Sequence, residues 1–212
     1  MPLTYENNTQ IITREQITEE SDTSKLYIVV SQTGTILSRF LKMVTRAKYN
    51  HVSVSLEDDL HVMYSFGRRN PYNPVWGGFV MESPENGTFA RFTETEVVVL
   101  CVHITQKQKQ KIKEHLESMY SRRKIYHYNY LGLLLAAFHI CYKSRNHYYC
   151  SEFVKDLLVK FKIFDKERFG KIVHPTRFLK LENADVVYRG KLRQYSTFKE
   201  KYSDIEAVEA TR

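Results

Sequence analysis

Cys150 and His51 are the two side chains in this sequence whose types and settings fit cooperative covalent chemistry. A thiol attacks effectively at neutral pH only as its thiolate. The positive end of a helix and a neighbouring imidazole both favour that form. Cys150 falls where a helix should begin. Lys143 to His147 is polar, and Phe153, Val154, Leu157, Leu158 and Phe161 then lie on one stripe of a helix over 150–162. The free N–H groups of that first turn would face the sulfur and could also receive an oxyanion. His51 opens an alternating strand directly after a helix-to-strand turn, an edge from which a side chain can face a cleft.

The other cysteines and histidines read differently. Cys101 sits inside an apolar strand and Cys141 at the end of an apolar helix, settings of structural thiols. His61 and His103 lie on strands, and His115, His127, His139, His147 and His174 on helices or connections. No histidine pair has the spacing and acidic companion of a zinc helix, and no cysteines form a Cys-x-x-Cys pair. The expectation is therefore no metal and no cofactor.

Tyr49-Asn-His-Val-Ser-Val-Ser55, the strand Val62-Met-Tyr-Ser-Phe-Gly67 and, much later, Tyr149-Cys-Ser-Glu-Phe-Val154 together resemble the permuted branch of the NlpC-type papain-like cysteine peptidases and amidases. That branch is related to the lecithin:retinol acyltransferase-like group. Its histidine strand precedes its cysteine helix, the order found here. The resemblance spans roughly residues 25–195. It implies an α+β, circularly permuted papain-like fold: an antiparallel sheet packed against helices, the nucleophile helix among them. It also implies Cys150 as nucleophile and His51 as general base, then general acid.

Enzymes of this kind fix the imidazole with a polar group on the strand beside the histidine strand. A turn at Glu57-Asp-Asp59 sets Ser65 opposite His51, which makes Ser65 the candidate orienting residue; a two-residue turn would set Phe66 there. Tyr64 and His61 are rivals, and Glu82, one strand further on, is a substitute. For substrate binding, Tyr64, Arg68, Tyr148 and Tyr149 are the candidates. Arg68 and Arg69 could hold a carboxylate or phosphate through paired hydrogen bonds. Among Tyr126, Tyr128, Asn129 and Tyr130, one tyrosine could donate to an oxyanion, with core packing as the competing role.

These residues need a scaffold. Leu26 to Val30 reads as a buried strand, and Ile36, Leu37, Phe40, Leu41 and Val44 as one face of a helix over 36–47. A hairpin at 51–66 follows, then a loop-forming stretch at 67–78 and strands at 79–82, 88–92 and 96–104. Thr105 with Gln108 fits a capping box opening a helix over 106–122. A buried helix is expected at 128–142, a short helix started by Pro175, and a last strand at 185–189. Residues 1–24 read as a loose arm, 25–195 as one catalytic domain, and 196–212 as a charged tail.

The 212 residues are 42% apolar, 26% charged and 13% aromatic, the composition of a soluble globular protein rather than a disordered or fibrous one. The longest apolar run, Leu131 to Phe138, is too short to cross a bilayer, and the first twenty residues lack a secretory core. The expected location is cytoplasmic, with reduced thiols. The net charge of +8 suits an anionic partner, but no run reaches five like charges, so no specific nucleic-acid site is expected. The leading expectation is a cysteine hydrolase that cleaves an amide of a small peptide through a thioester, with cell-wall peptides or γ-glutamyl-type amides as substrates implied by the resemblance. The alternatives are a thiol acyltransferase or thioesterase on lipid-like esters, and a non-catalytic basic module binding an anionic ligand. Oligomeric state is not legible.

Overall fold

The computed structural model describes residues 22–32, 48–70, 72–73 and 75–201. The helix expected over 36–47, most of the N-terminal arm and the end of the tail lie outside them. The architecture is α+β. Strands β1 (Thr23–Gln32), β2 (His51–Ser55), β3 (Met63–Arg68), β4 (Gly77–Glu82), β5 (Glu96–Thr105), β6 (His127–Tyr128), β7 (His147–Tyr148) and β8 (Asp185–Lys191) form one sheet in the order β7-β6-β4-β3-β2-β1-β5-β8. Every pairing is antiparallel except β6 with β7.

Central β1 explains its own sequence. It pairs with β2 on one side and along its full length with β5 on the other, and both its faces are covered. A strand covered on both faces has no polar positions to alternate with, hence the run Leu26-Tyr-Ile-Val-Val30. On one face, Leu26, Ile28, Val30, Val52, Val54, Phe66 and Phe79 meet Ile112, Leu116 and Met119 of α2 (Gln106–Ser121) and Phe153, Val154, Leu157 and Leu158 of α4 (Cys150–Lys160). On the other, Tyr27, Val29, Val97, Val99 and Cys101 meet Leu60, Met63, Tyr195 and Phe89 of α1 (Gly87–Arg91). The capping box of α2 is present as expected, with Gln108 N–H donating to Thr105 Oγ1 at 3.1 Å and Thr105 N–H donating to Gln108 Oε1 at 2.9 Å. Pro175 opens a 3-10 helix, Pro175–Lys180.

Three expectations are corrected. Residues 88–92 do not form a strand: Asn86 and Gly87, the latter at φ 63°, turn the chain into α1, and Phe89 is buried under the sheet. The helix expected over 128–142 is only α3 (Tyr130–Ala137). Asn129 Oδ1 accepts from Gly132 N–H and fixes its start, and His139 at φ 61° ends it. Nor is that helix buried, since Leu131 and Leu134 are half exposed. The charged tail begins in a helix. Residues 195–201 are helical, Tyr195 is buried, its hydroxyl donates to the Asp58 carbonyl at 2.8 Å, and Lys199 pairs with the Asp58 carboxylate.

The third correction concerns the hairpin at 51–66. Its connection is not a tight turn at 57–59 but the longer segment 56–62. Leu60 takes a left-handed φ of 58° and is fully buried, and Ser55 Oγ makes 2.8 Å contacts with the carbonyls of both Glu57 and Val62. Val54 consequently pairs with Tyr64. Extending that register places Gly67, not Ser65, level with His51.

Candidate active site

Cys150 is the first residue of α4. Its preceding residue, Tyr149, is extended at φ −99° and ψ 163°, and no side chain caps the helix start. The N–H groups of the first turn are therefore left to the space around the sulfur. The thiol is 2% exposed and donates to the Asn50 carbonyl at 4.0 Å, which places it against the residue preceding His51. Two residues along, Glu152 is buried. Burial raises its carboxyl above the ordinary range and Lys143, 3.5 Å away, opposes that rise.

The imidazole of His51 meets a carboxylate. Its Nε2 lies 3.0 and 3.2 Å from the two oxygens of Glu82, with the two side chains only 13% and 10% exposed. Ser53, two residues along the same face of β2, donates its hydroxyl to Glu82 at 2.7 Å and lies 3.3 Å from the same ring nitrogen. Burial acts to lower the imidazole pKa, but the charges of Glu82 and Cys150 and hydrogen bonds to both outweigh it, and the ring is held well above its ordinary value. Phe89 covers one side, its ring centroid 6.2 Å from that of His51.

Gly67 leaves room for the contact. A Cβ there would stand 3.1 Å from Glu82 Oε1 and 3.7 Å from His51 Cε1. Tyr128 approaches the sulfur from the other side. Its phenol is held well above the usual range by burial first, then by the charge of Cys150 and of Tyr130 and a hydrogen bond with Cys150.

The expected Cys150–His51 pair is thus brought together. Ser65 is not the orienting residue: its hydroxyl donates to the Val52 carbonyl at 2.7 Å and is fully buried, because the longer turn moves it out of level with His51. Glu82, the substitute considered on the sequence, holds the ring. His61 pairs with Glu85 at the surface instead. Tyr64 stacks on Phe79, centroids 6.0 Å apart, beside Glu117 and Tyr120 of α2, and is a packing residue. Tyr148 packs on Phe66 at 5.1 Å and Tyr149 is buried, so both underpin α4 rather than forming a cleft wall. Arg68 does line a cleft. Arg69 is occupied structurally, its Nη2 donating to the carbonyls of Arg123 and Tyr126. Sequence reasoning missed Ser53. The available signal was its place two residues after His51, on the same strand face.

Neither the models of known protein families nor the curated proteins compared with this chain give a match. No helix among the described residues is long and apolar enough to cross a membrane.

Proposed function

We propose that this chain is a cysteine hydrolase of permuted papain-like type that cleaves an amide through a thioester on Cys150. The observation that carries this reading is the linked set Glu82–His51–Cys150, in which a largely buried carboxylate holds an imidazole beside a thiol at an uncapped helix start. Because Nε2 faces Glu82, Nδ1 is the nitrogen that exchanges a proton with the sulfur. The thiolate attacks the carbonyl carbon and forms the C–S bond. Backbone N–H groups at the start of α4 and the Tyr128 hydroxyl stabilise the oxyanion. The imidazolium gives its proton to the leaving nitrogen as the C–N bond breaks. Water then attacks the thioester, passing a proton to His51, and the thiolate is released.

Iodoacetamide tests the pairing without a known substrate. His51→Ala slows alkylation of Cys150 at neutral pH by about tenfold or more. An unchanged rate in the folded variant overturns the assignment.

A second reading has its own observation. Leu131, Leu134, Phe138 and Ile140 are 53%, 47%, 68% and 52% exposed, a few residues beyond Tyr128. An exposed apolar surface on the segment that follows Tyr128 suits a lipid-like acyl group, and Cys150, His51 and Glu82 would then act as a thioesterase or acyltransferase. Hydrolysis of long-chain acyl esters in preference to short peptide amides would favour it.

A further inference from the structure

A cleft of about 400 Å³ opens beside Glu82, lined among others by Arg68, Arg69, Trp76, Tyr120 and Arg123. With Lys124 it holds four cationic side chains against one carboxylate, and that carboxylate is already engaged by His51 and Ser53. The cations are not equivalent. Arg69 holds two backbone carbonyls. Arg123 donates to the Tyr120 carbonyl at 3.2 Å and lies over the Tyr120 ring. Arg69 Nε and Arg68 Nη2 are both buried without an acceptor among the described residues, but Arg69 is anchored through its Nη2, whereas Arg68 leaves a terminal fork nitrogen open to a ligand.

A guanidinium stays charged in a protein, and a buried charged donor left without an acceptor is costly. Such a group calls for an anion, and a planar fork suits carboxylate and phosphate oxygens. Arg68 also adjoins the chemistry. It is the residue following Gly67, and it lies within electrostatic range of Tyr128 and Tyr130, the former in contact with Cys150.

We propose that the acyl compound processed at Cys150 carries a carboxylate or phosphate that docks on Arg68, at the cleft that Trp76 and Tyr120 also line. This rests on Cys150 being the nucleophile and specifies the substrate class: an anionic amide or ester rather than a neutral one. The +8 charge then has a local use, drawing such molecules toward this mouth.

Two alkylating reagents of nearly equal size, anionic iodoacetate and neutral iodoacetamide, test it on the full chain. The ratio of their rates at Cys150 falls about fivefold or more in Arg68→Met, and Arg68→Lys gives an intermediate ratio. An unchanged ratio in folded Arg68→Met overturns the proposal. If that variant does not fold, the wild-type chain decides. At constant ionic strength, millimolar acetate or inorganic phosphate should slow iodoacetate labelling, and the stronger protector tells carboxylate from phosphate. Absence of protection by either overturns the proposal. Failure of the nucleophile assignment reads out separately, as iodoacetamide labelling that ignores His51→Ala.

Discussion

Cys101 and Cys150 are both buried, at 4% and 2% exposure, and belong to the cores on opposite faces of one sheet. Cys101 lies mid-strand in β5, level with Tyr27 of β1, and burial pushes its thiol up. Cys150 begins a helix, next to an imidazole that a carboxylate holds in place. Burial alone therefore makes a cysteine inert. What separates the two is the end of a helix dipole and a basic ring, the two influences that favour a thiolate, so the difference lies in position in the fold rather than in exposure.

The most severe way to break this contrast is substitution. Cys150→Ser lowers acylation by p-nitrophenyl acetate by about 10³-fold or more, whereas Cys101→Ser stays within about twofold of the parent. Stopped-flow release of p-nitrophenol measures both, and a folded Cys150→Ser that keeps its burst ends the nucleophile assignment. Glu82→Gln comes next. It keeps the shape but loses the charge that stabilises the imidazolium, at a cost of about 10²-fold in acylation rate. Ser65→Ala instead removes a buried hydrogen bond to Val52, costing about 1 kcal/mol of stability by denaturant titration. If Ser65→Ala slowed acylation more than Glu82→Gln, the orienting role would pass back to serine. Gly67→Ala forces a Cβ within 3.1 Å of the Glu82 carboxylate. The carboxylate must give by a few tenths of an ångström, and acylation slows by about tenfold or less.

The last effect is in pH dependence. The His51 pKa is raised in the folded chain, so that chain binds the proton more tightly than the unfolded one. The resulting stabilisation is fully present below about pH 6.5, the unfolded value, and is lost as pH rises through the folded value. Relative to Glu82→Gln, the parent loses up to about 1.4 kcal/mol per pH unit across that window. Urea midpoints at several pH values check this, and a difference that grows with pH would contradict it.

How much of this the sequence carried depended on range. The α4 stripe, the α2 capping box and the β1 run are local patterns, and each was legible because neighbours in sequence share a face or a turn. The orienting carboxylate was harder, because it depended on turn length. A left-handed Leu60 and the double grip of Ser55 on Glu57 and Val62 lengthen the hairpin connection, and the residue level with the imidazole changes from serine to glycine. No period in the sequence announces that shift. Thr88 to Phe92 failed for a related reason: a β-branched and aromatic composition was overridden by the positive-φ Gly87 and by the burial of Phe89 beside His51. The pairing of Cys150 with His51 was anticipated through the resemblance, since neither residue's spacing alone reveals the other.

The bond from the Tyr195 hydroxyl to the Asp58 carbonyl ties the far end of the described chain to the bend just past the histidine strand. That closure spans most of the polypeptide, so it is among the last to become available as the chain emerges during synthesis. The basic ring and the sulfur can each be in place earlier, yet the bend beneath the ring gains this second tie, beyond the local grip of Ser55, only when residues 195–199 arrive. Trimming those residues would loosen the setting of His51 from a distance, without touching Cys150, His51 or Glu82 themselves.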